Sequence, residues 1–313
     1  MENNSSINKQ LIDALMKDRR SERRWKVIRS FLWAFIFLIY AYFIYSVSFA
    51  KKEEPLPKKD YVALVHLKGV IMPGSNFSGE KVIPELRHAF QDKYAKGVLL
   101  VINSPGGSPV QASMIHDKII ELKHQYKKKV VVVGLDALAS GAYLVATAAD
   151  KIYVNPDTLT GSIGVIMSGF GFSDAIEKVG ISRRVYTAGD NKDRLDPFKP
   201  VKPEDVTKMK TLLDEVHQRF IADVLASRGQ LLKGNREEIF SGDFWSGSTA
   251  VSLGLADATG NSWDAMEKEF NVSHYKDYST KPSFLQTFLD SAETELHLAL
   301  TQRSSQELTA QLP

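Results

Sequence analysis

Two short runs without a polar residue, Val98–Ile102 and Val130–Val133, constrain this chain more than any other feature. A strand with one face in water alternates apolar and polar residues, so an unbroken run belongs to a strand covered on both faces. Helical periodicity surrounds these runs: Ile83, Leu86 and Phe90 recur at helical spacing within Lys81–Phe90, and a second helix is predicted over Val110–His124. Tyr61–Leu67 reads as a further strand, Gly69–Gly79 as a loop, Gly141–Ala149 as an apolar helix and Lys151–Val154 as a short strand. Such alternation predicts an α/β domain of stacked βαβ units with right-handed crossovers. Pro203–Arg228 reads as a long helix, and Phe284–Leu300 as a terminal amphipathic one.

Ahead of this domain, Phe31–Ala50 is uncharged and rich in Phe, Leu, Ile and Tyr, matching the ~20 residues that cross a bilayer core. Arg19, Arg20, Arg23, Arg24, Lys26 and Arg29 precede it. Basic residues stay on the cytoplasmic side, so the arm is expected inside and everything after Lys51 outside. Ser48-Phe49-Ala50 has the form of a processing site, which makes a cleaved signal peptide the alternative; the length of the run and of the arm favours an uncleaved anchor. The expected organisation is an arm over 1–30, an anchor over 31–50, a charged linker over 51–59, a domain over 60–272 and a helical extension over 273–313.

Composition narrows the chemistry. The chain has no cysteine, which excludes thiol catalysis, cysteine zinc clusters and disulfide staples. Its net charge of +3 owes much to the arm, and no basic stripe with interleaved aromatics follows, so no nucleic-acid partner is expected. Neither phosphate-loop glycine pattern is present, and neither cofactor nor metal is expected.

Ser140 stands where the Val130 strand gives way to small residues, Ala139-Ser140-Gly141-Ala142, and an apolar helix begins. A hydroxyl there sits at a helix N-terminus, whose unpaired N–H groups favour developing negative charge. The plainer alternative is that Ser140 caps the helix. Asn103-Ser104-Pro105-Gly106-Gly107 follows the other buried strand, and paired glycines let a turn aim its amides at a ligand oxygen. The two turns are expected to end neighbouring parallel strands, where a carbonyl between them meets a hydroxyl and two amide donors. No histidine lies between His124 and His217, which disfavours a histidine base shortly after Ser140.

These two motifs, with Asn155-Pro156-Asp157-Thr158-Leu159-Thr160-Gly161-Ser162-Ile163-Gly164-Val165 and a late Phe244-Trp245-Ser246-Gly247, resemble signal peptide peptidase A and its SohB-like relatives. These are the serine–lysine peptidases of family S49, with the ClpP/crotonase-like fold. The resemblance covers about Tyr61 to Gly260; Ala142 departs from it, since many relatives carry glycine there. It implies Ser140 as nucleophile and Lys192, some fifty residues on, as general base, with backbone amides near Gly106 or Gly107 and at Gly141 holding the oxyanion. An ordinary lysine has a pKa near 10.4 and is a poor base at neutral pH, so Lys192 needs desolvation, with Asp190 and Asp193 turned away from it. The resemblance further implies a homo-oligomeric ring that pairs the lysine of one unit with the serine of the next, and peptide substrates, above all signal peptides left in the bacterial inner membrane. Ser162, Ile163, Val165 and Ile166 are expected to line the substrate. Other readings stay open at this point: a protease of the same family that cuts another membrane protein, an acyl-CoA-binding protein of the same fold, and a catalytically dead ring.

Overall fold

In the computed structural model, residues 23–45 and 61–280 are described. They fall in two separate units, divided between Leu56 and Pro57. The first contains a helix, α1 (Arg23–Tyr45), of 23 residues, whose most apolar 18-residue window has a mean hydropathy of 2.0 and which is long and apolar enough to cross a membrane. Ser46–Ala50, the end of the expected anchor, and the expected terminal helix over Phe284–Leu300 lie outside the described residues.

The second unit opens with β1 (Tyr61–Lys68), α2 (Gly79–Gln91), β2 (Ala95–Ser104), α3 (Pro109–Tyr126), β3 (Lys129–Ala139) and α4 (Gly141–Thr147). The three strands pair in parallel, β1 with β2 and β2 with β3. Alternate residues of β2 serve opposite faces: Val98, Leu100 and Ile102 pack with α2, α3 and α4, while Leu99 and Val101 pack with Ala265, Met266 and Phe270. That division explains why the runs contain no polar residue, since each side chain that enters a core contributes about 1.5–3 kcal/mol.

Beyond its four valines β3 continues to Ala139, and its outer edge is paired twice, first by β4 (Lys151–Val154) and then by β5 (Leu159–Gly161). After β5 the chain forms α5 (Ser173–Lys178) and α6 (Pro203–Arg228), the latter with the predicted limits. It then completes the sheet with short elements: α7 (Arg236–Ile239), β6 (Phe244–Trp245), α8 (Gly247–Ser252), β7 (Ala258–Thr259), α9 (Ser262–Phe270) and β8 (His274–Asp277). Arg228, almost fully buried, ties the end of α6 to the sheet through Asp257 at 2.6 Å and the Gly254 carbonyl at 2.8 Å.

The sheet extends past the expected domain limit at Val272. β8 lies parallel to β1, from Tyr61 opposite His274 to Leu64 opposite Asp277. Asp92 fastens this edge. Its carboxylate accepts the hydroxyls of Tyr61, at 2.7 Å, and Tyr278, and faces Lys276 at 3.4 Å.

Candidate active site

The site begins with an irregularity where β2 and β3 end. Ile102 pairs with Gly134 but Ser104 with Leu138, so two steps along β2 match four along β3. Asn103 bridges the mismatch: its Oδ1 accepts the Ala137 N–H at 3.1 Å and its Nδ2 donates to Asp136 at 2.5 Å. The bulge carries β3 on to Ser140 beside the turn that leaves β2.

Only glycine fits that turn. Gly106 and Gly107 have φ of 101° and 146°; a Cβ on Gly106 would stand 2.7 Å from Ser140 Cβ, and one on Gly107 2.1 Å from the Ile71 carbonyl oxygen. Ile71 locks the turn, donating its N–H to Gly106 at 2.8 Å and accepting that of Ser108 at 2.7 Å. The Gly106 N–H is taken by the buried Ser104 hydroxyl at 3.1 Å. The Gly107 N–H and the Gly141 N–H, the latter at the first position of α4, have no protein acceptor among the described residues. A Cβ on Gly141 would lie 3.5 Å from Gly107 N, so the two free amides are neighbours.

Ser140 joins β3 to α4 in a conformation few non-glycine residues adopt, φ 53° and ψ −127°, at a cost of about 1–3 kcal/mol. Its N–H donates to the Gly161 carbonyl at 2.8 Å and its own carbonyl accepts from Leu144 at 3.0 Å. The capping alternative fails on geometry: Ser108 caps α3 through its hydroxyl, whereas the Ser140 hydroxyl caps nothing and has no protein partner among the described residues. Ser140 is half-buried and opens on a cavity of about 400 Å³. Met114 of α3, Leu144 of α4, Val165, Ile166 and Phe220 of α6 contribute to its walls.

Of the four residues expected to line the substrate, the structure brings Val165 and Ile166 to this cavity. Ile163 is corrected: it is fully buried in the core and does not line the cavity. Ser162 also stands outside the lining residues, at φ 51°, with its N–H bonded to Asp243 at 2.7 Å. Lys192 is exposed on the turn Asn191–Leu195 and does not line the Ser140 cavity of its own chain. Neighbouring Asp193 is engaged by the Lys199 ammonium, which holds its carboxyl below the usual range. Among the described residues no cluster of His, Asp or Glu is arranged to hold a metal ion.

Sequence reading missed the α6 wall, which adds Glu215, Val216, Arg219 and Asp223 beside Phe220. Its signal was present, since Val216, Phe220 and Val224 repeat at helical spacing, but nothing local says what such a stripe faces.

Comparison with known proteins agrees with this architecture. A model of the Clp proteases matches residues 64–160 and one of peptidase family S49 matches 122–273. A Brucella melitensis protein named as a Na(+)/H(+) antiporter, NhaA, is 42% identical over 214 residues, 67% of this chain but 29% of that protein. A putative signal peptide peptidase of Enterococcus faecium is 30% identical over 61% of this chain and 55% of its own length. The chain thus spans less than two thirds of these two relatives. A putative protease of Synechocystis is 32% identical over 206 residues, 66% of this chain and 72% of that protein. With that breadth of likeness, and a family match running from α3 through the Ser140 turn and Lys192 to Ser273, the chain belongs to peptidase family S49.

Proposed function

We propose that this chain is a membrane-anchored serine endopeptidase in which Ser140 attacks the peptide carbonyl and Lys192 of a neighbouring copy is the general base. The observation that carries the reading is the Ser140 turn: an uncapped hydroxyl on a strained backbone, beside two adjacent free amides and open to a cavity. Gly107 and Gly141 are the oxyanion donors, because the Gly106 N–H is spent on Ser104. Each such donor contributes about 2.7–4 kcal/mol to the transition state. Lys192 takes the Ser140 proton during attack, returns it to the leaving amine, and activates water against the acyl-enzyme.

The exposure of Lys192 outside the cavity of its own chain supports pairing between copies. Burial against a second chain strips water from the amine and favours its neutral, basic form. Between Gly164 and Glu204 no residue is buried, although Ile166, Phe170 and Tyr186 are 87, 81 and 91% exposed, which suits a segment covered by neighbouring copies. The helix α1, with Arg23, Arg24, Lys26 and Arg29 at its start, supports a single-pass anchor in a bacterial inner membrane with the peptidase unit outside. Signal peptides left in that membrane are the proposed substrates.

Labelling with a fluorophosphonate tests the reading. Label is expected on Ser140 and to be absent from Ser140→Ala, whose turnover falls at least about 10⁴-fold. Ser140→Ala and Lys192→Ala chains, each inactive, regain activity when co-assembled. An unlabelled Ser140 in an assembled, folded protein removes the nucleophile assignment, and failure of the mixture removes the pairing between copies.

A further inference from the structure

Two of the walls of the cavity at Ser140 share no strand and no helix: the segment 164–166 and α6. One side chain joins them. His217 of α6 lies with Nε2 2.9 Å from the Ile163 carbonyl oxygen. A carbonyl only accepts, so Nε2 carries the proton. No backbone donor reaches that oxygen among the described residues.

The position of this bond gives it leverage. The Gly161 carbonyl holds the Ser140 N–H, and the chain then turns sharply at Ser162, whose carbonyl accepts the Gly164 N–H at 2.9 Å. Gly164 packs so tightly that a Cβ there would stand 2.8 Å from Gly242 Cα. Beyond Gly164 the chain enters its long exposed stretch. On α6, Phe220, Val224 and Arg228 are buried, whereas N-terminal to His217 only Asp205 is. His217 therefore sits where both walls leave the core.

We infer that His217 is a positioning residue for peptide binding: its bond to Ile163 sets the width of the cleft and the direction of the Val165–Ile166 backbone against which an extended substrate lies. The inference rests on the peptidase reading and concerns binding along the cleft, not the bond-breaking step. Losing one such bond weakens a contact by roughly three- to tenfold.

The test compares His217→Phe, which keeps a flat ring but no donor, with His217→Gln, whose amide nitrogen reaches about as far as Nε2, and His217→Asn, which falls short. KM for an extended apolar peptide is expected to rise roughly three- to tenfold in the Phe and Asn proteins, with kcat and the rate of fluorophosphonate labelling at Ser140 held. His217→Gln is expected to recover most of the loss. Hydrogen exchange at the Val165 and Ile166 amides, faster in His217→Phe than in the wild type, reads the same tie without any chemistry, so an inactive wild-type protein would count against the peptidase reading and leave the exchange result standing. Unchanged exchange and KM in His217→Phe, or a Gln protein as impaired as the Phe protein, overturns the inference.

Discussion

Two neighbouring stretches of this chain both carry many apolar residues and use them in opposite ways. From Tyr61 to Gly161 most of the apolar side chains disappear into two core layers, one on each side of the sheet. From Gly164 to Glu204 none does, and Phe170, Phe172 and Phe198 stack on one another in the open, with ring centroids 6.1 and 5.5 Å apart. A cavity of about 700 Å³ between this stretch and α6, shared by Met167, Phe170, Leu195, Val206 and Met209, is filled by none of the described residues. The difference teaches that the first stretch finds its packing partners within the folded unit, while the second holds surface in reserve for something beyond the described residues.

Charging the exposed stretch puts the largest strain on that comparison. Phe170→Asp combined with Tyr186→Asp touches no lining residue of the Ser140 cavity, and is expected to abolish assembly in sedimentation and lower peptidase activity at least about 100-fold, while the thermal transition of the folded unit stays within ~2 °C. The counterpart inside the sheet, Leu100→Ala, should destabilise the fold itself by about 2–5 kcal/mol. Equal assembly in the double variant and the wild type would break the contrast, as would a melting loss matching that of Leu100→Ala.

A smaller effect sharpens the other side. Asp92 fastens β8 to the edge of the packed region. Burial alone would push its carboxyl up, but the Tyr278 and Tyr61 hydroxyls, the Tyr94 N–H and Lys276 together bring it well below the usual carboxylate range. A lowered folded pKa contributes stability that is present above the unfolded value of ~3.9 and lost as pH falls through the folded one. Tyr61 and Tyr278 are pushed up, chiefly by burial and then by Asp92, so their share is present below the unfolded value of ~10 and lost above it. Asp92→Asn is therefore expected to cost about 2 kcal/mol near neutrality, or roughly 5 °C in Tm, with the gap to wild type closing in acid. A gap that stays constant down to pH ~2 would show that the carboxylate is not what holds the edge.

How much could be read beforehand follows the same divide. The strands β1 to β4, α3 and α6 were legible because buried runs and helical stripes are local signals, whereas the Ser140 and Gly106-Gly107 turns were legible only together, since a lone serine there reads equally as a helix cap and paired glycines as a tight turn. The strand β5 was not, since it forms only by pairing Leu159–Gly161 with the distant end of β3 at Ala137–Ala139. Nor was β8, whose pairing with β1 spans the whole unit. Ile163 and Ile166 look alike in sequence, yet one is core and the other 87% exposed. The tertiary path alone separates them. His217 carried no signal, because its partner is a main-chain oxygen.

The backbone of Ser140 has a consequence for how this molecule can be handled. A residue at φ 53° and ψ −127° occupies a region that glycine enters freely and alanine does not. Removing the hydroxyl with alanine keeps the strain, whereas glycine relieves it. Ser140→Gly should then melt above both the wild type and Ser140→Ala while turning nothing over, giving a sturdier form in which a bound peptide can be trapped uncut. The serine that the fold keeps there is the less stable choice, and under the proposed role of Ser140 that strain is what holding a nucleophile in this turn costs.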